Sequence, residues 1–199
     1  MKNCTTSFSI LIVCLWWCFP SRCQISDKIS VINHFCDSID NVQGTRTVVK
    51  ASNSLSLDYI FFKDRLVKLI EHPLGYRYIS ATVNYYIRDH DQIFVNSDME
   101  ISDENGEKLT VELQRVWLTD RKIIRYLFYS HTFTTDSLYK QGTDPVRISS
   151  EIRRDARFLQ KEPDKTFTDK LLKALDFYID LGTRGNGDRI PENIYSPFI

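Results

Sequence analysis

The sequence has neither a long apolar run nor an excess of charge of one sign. Its 26 lysine and arginine residues balance 26 aspartate and glutamate residues, whereas a nucleic-acid-binding protein usually carries a basic excess. The longest apolar stretch runs over twelve residues, from Phe8 to Phe19, and a membrane-spanning helix needs about 20. We therefore expect no nucleic-acid partner and no stable membrane insertion.

The short apolar stretch is typical of a secretory signal peptide. It follows Lys2, and Pro20 ends it before the small residues Ser21 and Cys23, which is the order of regions that signal peptidase recognises. We predict cleavage between Cys23 and Gln24 and a secreted or secretory-pathway protein. The alternative, a buried amino-terminal helix, would have to place two adjacent tryptophans in the core.

Cysteine is scarce once such a peptide is removed. Four of the five cysteines lie within residues 1–23, so Cys36 alone remains. This excludes a disulfide scaffold unless cleavage falls earlier and Cys23 pairs with Cys36. Cys36 lies on an apolar helical stripe, where a thiol behaves as a small hydrophobic group. We predict a buried free thiol, and the alternative is a disulfide between two copies.

Catalytic and metal-binding motifs are absent from the sequence. It has no glycine-rich phosphate loop, no Gly-x-Ser-x-Gly, no His-Glu-x-x-His and no paired-cysteine pattern. The nearest approach to a metal site is Asp89-His90-Asp91, but one tight turn cannot present three ligands to one ion without help from His72 or His131. We expect no catalytic residue, no cofactor and no metal site.

Helical periodicity occurs at both ends of the chain and once near its middle. Apolar residues spaced by three or four predict an amino-terminal helix over 26–40 and two carboxy-terminal helices over 149–160 and 165–181. Asp164 is the predicted cap of the last helix and Gly182 its end. A fourth helix, from Ser54 to His72, is predicted from the same spacing of Leu55, Tyr59, Phe62, Leu66 and Leu69.

Strand periodicity dominates the remainder. Residues 45–51 form one predicted strand, and after Gly75 the apolar period changes to two. Four further strands are predicted over 78–87, 92–101, 108–118 and 122–133. A three-residue loop around Asn105-Gly106 would place Ile101 opposite Leu109.

These elements predict an α+β fold with a four- to five-stranded antiparallel meander sheet wrapped on a helix, an amino-terminal helix and two carboxy-terminal helices. The element order from Thr45 to Phe133 resembles the cystatin-like arrangement. The stretches nearest to the cystatin inhibitory motifs, Gln92–Asn96 and Trp117-Leu118, do not match them, so the resemblance does not imply protease inhibition. We predict one domain over 24–182 and a flexible tail over 183–199.

Aromatic residues are concentrated in the predicted strands, and alternation places half of them on the face away from the central helix. Four of them mark a candidate interaction surface, namely Tyr78, Tyr86, Tyr126 and Phe128. The alternative is that the carboxy-terminal helices cover that face.

We therefore expect a secreted protein-interaction module without catalysis, whose partner is another protein. A first alternative is a small-molecule carrier or NTF2-like enzyme with a helix–sheet pocket and His131 or Asp89 at its rim. The second alternative is a structural surface-layer component in which Cys36 bridges two copies.

Overall fold

The computed structural model describes residues 24–89, 91–134, 145–184, 190–191, 194 and 196–199, without the side chains of 145–149. The predicted signal peptide with Cys23 lies outside these residues, and so does His90. Within them no helix is long and apolar enough to cross a membrane.

The described chain is an eight-stranded antiparallel meander with helices before and after it. Each strand pairs with the next one along the chain, in the order β1 to β8. The elements are α1 (24–40), β1 (Arg46–Ala51), β2 (Leu55–Phe62), β3 (Arg65–Pro73), β4 (Ile79–Arg88), β5 (Gln92–Ser102), β6 (Lys108–Thr119), β7 (Lys122–Thr134), α2 (Pro145–Asp155), β8 (Leu159–Gln160) and α3 (Lys165–Thr183).

The helix predicted between Ser54 and His72 is wrong, because this segment is the β2–β3 hairpin. Lys63 and Asp64 both have positive φ, 50° and 61°, as a two-residue hairpin turn requires. Side chains of β2 alternate between buried and half-buried. Leu55 and Tyr59 are an even number of residues apart, so both lie on the buried face of a strand and equally fit a helical stripe.

The four- to five-stranded sheet with cystatin-like element order is therefore wrong as well. The sheet has eight strands, and the helix packed on its core face is α3, from the other end of the chain. We call this the inner face. The residues of α3 buried against it are Leu171, Leu175, Tyr178 and Leu181.

The opposite, outer face of the sheet is covered in part. Ile29 and Ile32 of α1 pack there against Tyr86 and Trp117, and Trp117 Nε1 donates to Asn33 Oδ1 at 2.8 Å. Arg153 of α2 forms ion pairs with Asp98 and Glu100, at 2.6 Å each. Because helices lie on both faces, many of the strand aromatics belong to the core.

The predictions for the carboxy-terminal part of the chain are partly confirmed. Asp164 caps α3, since its Oδ1 accepts the Phe167 N–H at 2.7 Å. Gly182 does not end that helix, which continues to Thr183 and is capped by the extended Arg184. The other carboxy-terminal helix ends at Asp155, and residues 159–160 pair with β7 as β8. Ile190, Ser196 and Phe198 of the predicted tail are buried.

The predicted register of the β5–β6 hairpin is wrong by one residue. Ile101 lies opposite Thr110, and Leu109 lies opposite Ser102. The loop is one residue longer than predicted, and the Asp103 carboxylate stabilises it by accepting the Lys108 N–H at 3.1 Å. Such a bond of an Asp side chain to nearby backbone is common in turns.

Candidate functional site

A pocket of about 510 Å³ opens where the carboxyl end of α3 lies over the first strands of the sheet. We call it the end pocket. Its size is within the range of small-molecule sites, about 300 to 1,000 Å³. Its apolar lining residues are Val48, Phe61, Leu66 and Ile87.

The strand positions explain why the pocket forms there. Arg46, Val48 and Lys50 alternate along β1 and therefore project from one face of the edge strand. The helix α3 ends at Thr183, so the adjacent ends of these strands extend beyond the helix. The part of the sheet that α3 does not cover forms the floor of the pocket. This floor is apolar, and charged side chains surround it.

Gly182 sets the distance between α3 and the sheet at this end. A Cβ atom at this position would stand 2.4 Å from Cε1 of Tyr59, and Tyr59 is fully buried on the inner face. Glycine therefore allows the last turn of α3 to lie against β2.

Four basic side chains line the end pocket, against two acidic ones, Asp64 and Asp89. The basic residues are Arg46, Lys50, Arg65 and Arg184. Two of them are in ion pairs: Arg65 Nη2 lies 2.5 Å from Asp89 Oδ1, and Arg184 pairs with Asp180.

The other two basic residues contact an aromatic ring and the helix end. Lys50 Nζ donates to the Leu181 carbonyl at 2.6 Å and is buried. The Arg46 guanidinium lies over the Phe61 ring, 4.6 Å from its centroid. Arg46 forms no ion pair with a carboxylate in the part of the chain that the structure describes.

The carboxyl group of Glu71 is unusual because it is fully buried on the inner face. The Tyr85 hydroxyl donates to Glu71 Oε2, and the Tyr178 hydroxyl donates to Oε1 at 3.3 Å. Burial raises the pKa of Glu71, and hydrogen bonds from Tyr85, Ser196 and Tyr178 oppose that rise. No solvent reaches this carboxyl group, so its contacts serve to hold α3 and the carboxy-terminal segment on the sheet.

The structure does not bring the four predicted surface aromatics together. Tyr86 is buried on the outer face, where its hydroxyl donates to Asp40 Oδ2 at 2.7 Å. Tyr126 is buried on the inner face, and its hydroxyl donates to Gln114 at 2.7 Å. Burial raises the pKa of Tyr126 to about 12. Phe128 and Tyr78 are half-buried, the first on the inner face and the second just before β4.

Cys36 is a free thiol buried in the outer-face cluster with Ile29 and Tyr86. Burial, and then the nearby carboxylate of Asp40, raises its pKa to about 12. Bridging two copies through Cys36 would require this residue to leave the cluster. Gln24 is exposed at the start of α1.

The remaining candidates are dispersed over the molecule. Asp89 lines the end pocket, whereas His131 is exposed on β7 and stacks near Tyr129. The described residues contain no group of three or more His, Cys, Asp or Glu side chains placed to hold a metal ion.

Sequence reasoning missed Arg46 and Lys50. Their alternation with Val48 indicates a shared face, since residues at every second position of a strand project to the same side. The pattern does not show that a helix end lies over that face, because α3 is distant in sequence.

No family model, curated protein or solved structure matches this chain.

Proposed function

We propose that this protein is an exported binding protein that holds a small organic molecule in the end pocket. The observation that carries the proposal is the pocket itself, about 510 Å³ with an apolar floor and a charged rim. Ligand sites are concave and combine apolar surface with polar groups that orient the ligand, and this pocket has four apolar and six charged lining residues. Helices cover the inner face and part of the outer face, and they bury Tyr86 and Tyr126, so this opening is a more specific feature than the strand aromatics.

The residues that line the end pocket favour binding over catalysis. Among the described residues that line the pocket there is no histidine or cysteine, the side chains that most often act as a base or a nucleophile near neutral pH. The Asp89 carboxylate is held by Arg65, which favours a structural role at the rim.

Export is the part of the proposal that rests on the amino terminus. The charged, apolar and small-residue regions before Gln24 support it. Intact-mass analysis of the protein from the native source tests it, with Gln24 expected as the first residue. A native chain that still begins at Met1 would contradict export by this route.

A pair of tryptophan substitutions tests the pocket. Val48 faces the end pocket, and the next residue, Val49, is exposed on the opposite side of the same strand, at 61%. Val48→Trp should fill the floor and weaken binding of the fluorescent probe 1-anilinonaphthalene-8-sulfonate by about 10-fold, the loss expected when a buried apolar contact is blocked. Val49→Trp is the matched control and should leave probe binding unchanged. Equal binding by the native protein and both variants would disprove the pocket as the site.

A second candidate function is recognition of another protein through an aromatic row on β7. The row consists of Tyr129, His131 and Phe133, with ring centroids 6.5 Å apart for the first pair and 4.5 Å for the second. All three side chains project from one face of the strand, and His131 is exposed. Aromatic side chains supply much of the binding energy at interface centres.

Affinity purification from the extracellular fraction tests this second candidate. A partner recovered with the native protein should be lost with His131→Ala and retained with Thr132→Ala, which changes the other face of the strand. Retention of the partner by both variants would argue against the aromatic row.

A further inference from the structure

We infer that the ligand of the end pocket is an amphipathic organic anion whose acidic group is bound by Arg46. This inference rests on the proposed binding function and adds the chemical class of the ligand. It depends on the geometry of Arg46 and on how the other charges of the pocket are already occupied.

Arg46 is positioned to bind an acidic group. Its guanidinium lies over the Phe61 ring at 4.6 Å, and stacking on one face leaves the N–H groups at the edge of the plane free to donate. A guanidinium edge matches two oxygens of a carboxylate or phosphate. Within the described residues no carboxylate fills this position.

The other cations of the pocket are less suited to this role. Arg65 is bound by Asp89, and Arg184 is bound by Asp180. Lys50 donates to the Leu181 carbonyl at the carboxyl end of α3. That helix end disfavours an anion, and the buried ammonium group of Lys50 offsets this effect by contacting a carbonyl group in the last turn of the helix.

Asp64 is the strongest argument for a cationic ligand, because it also lines the pocket. Its residue lies in the tight turn between β2 and β3 with φ 61°, and it is exposed to solvent. Exposed charges interact weakly because water and salt screen them. Arg46 is exposed as well, but its guanidinium lies over the buried Phe61 ring, and this contact fixes its orientation, so it is the better-defined binding group.

The floor of the pocket determines the rest of the ligand. Phe61 and Ile87 are buried core residues that present apolar surface to the pocket. A ligand whose acidic group contacts Arg46 covers this floor with an apolar body. The shared chemistry is thus one acidic group, either carboxylate or phosphate, on a hydrocarbon chain.

Three probes with the same ten-carbon chain test the inference: decanoate, decyl phosphate and decanol. Calorimetric titration of the full protein should show that at least one of the two anions binds about 10-fold more tightly than decanol, as a hydrogen bond to a charged group predicts. In Arg46→Met, the binding of that anion should weaken to the level of decanol. Decanol itself should bind both proteins equally.

Arg77→Met is the matched control, because Arg77 is another exposed arginine beside an aromatic ring, 5.3 Å from the Tyr78 centroid, and does not line the pocket. It should leave the binding of all three probes unchanged. If Arg46→Met does not fold, Arg46→Lys replaces it. This variant keeps the charge but loses the paired N–H groups, so anion affinity should fall while decanol affinity stays constant.

The outcomes separate this inference from the proposal on which it rests. Decanol and both anions could bind equally tightly, and Val48→Trp could weaken the binding of each. This result would overturn the anion inference but would still support the end pocket as the binding site. Anion binding unaffected by the Arg46 variants would also overturn it. Tighter binding of decyl phosphate than decanoate would support it and identify phosphate as the acidic group. If no probe bound, or if Val48→Trp did not affect binding, the proposal that the end pocket is a binding site would itself be disproved.

Discussion

Gly182 and Tyr59 are packed so closely that a Cβ atom on residue 182 would stand 2.4 Å from the tyrosine Cε1. Gly182 lies inside α3, one residue before its end, so it does not act as a helix terminator. Because Tyr59 has no exposed surface, moving its ring away would disturb the core packed around it. This contact positions the end of α3 beside the end pocket.

Gly182→Ala should therefore lower the free energy of unfolding, against the usual preference of helices for alanine. That preference favours alanine by about 1 kcal/mol, whereas overpacking a dense core costs about 1–3 kcal/mol. We expect a net loss of about 1 kcal/mol in urea unfolding, on the balance of these two effects. In a Tyr59→Leu background the loss should disappear, because the smaller side chain leaves room for the Cβ atom. An equal loss in both backgrounds would refute the direct contact.

The buried Glu71 predicts a pH dependence of stability. The pKa of Glu71 in the folded protein is raised above its ordinary value of 4.5. Between pH 4.5 and the pKa of the folded state, the folded protein therefore binds more protons than the unfolded chain. The stability that Glu71 contributes is thus fully present below pH 4.5 and is lost as the pH rises through the folded pKa.

Glu71→Gln should remove this dependence. The free energy of unfolding of the variant, relative to the native protein, should increase as the pH rises above 4.5, by at most about 1.4 kcal/mol per pH unit. Urea unfolding between pH 4 and 8 measures it. Glu107→Gln, in an exposed turn, is the control and should follow the native protein. Parallel curves for native and Glu71→Gln would contradict the prediction.

Tyr86 should behave as a core residue. Tyr86→Ala should lower the free energy of unfolding by about 3 kcal/mol or more, as removal of a buried aromatic ring does. Tyr86→Phe keeps the ring and removes the bond to Asp40, so its loss should be about 1 kcal/mol. Tyr78→Ala, at a half-buried position, should cost less than Tyr86→Ala. If the two alanine variants were equally stable, Tyr86 would not be part of the core.

Cys36 should be protected from thiol reagents in the folded protein. With its pKa at about 12, only about one thiol in 10,000 is ionised at pH 8, and burial blocks access as well. In a chain with serine at positions 4, 14, 18 and 23, an aromatic disulfide reagent should react slowly before urea is added and rapidly afterwards. Ser38→Cys combined with Cys36→Ala places a thiol on an exposed position of α1 and should react at once. Equally fast reaction of Cys36 would contradict its burial.

The predicted strands after Gly75 are confirmed to within two residues at each end. Alternation over nine or more residues has no helical equivalent, so local pattern was sufficient there. The local pattern was not sufficient for Leu55, Tyr59 and Leu69, because their spacing fits both a strand and a helix. The two-residue turn Lys63-Asp64 decides between them, and it lacks the glycine that usually marks such a turn.

The candidate site was less accessible to sequence reasoning than the strands. The sequence indicates Asp89 as a rim residue, and Asp89 lines the end pocket, whereas no motif marks Arg46 or Lys50. Their role depends on a helix more than 100 residues later in the chain. Tyr86 and Tyr126 illustrate the same limit, because which face each occupies depends on the strand registers and on the helices packed over them.

The sequence by itself determined the α+β character of the chain, the antiparallel strands from 79 to 134, the capping of α3 by Asp164 and the position of one thiol on an apolar helical stripe. These features depend on residues that are neighbours along the chain. Only the tertiary structure decided that α3 packs on the inner face, that α1 and α2 contact the outer face, and that a pocket remains where α3 ends. Those features depend on contacts between distant segments, and the hydrophobic effect that drives such contacts has no direction to specify which apolar faces meet.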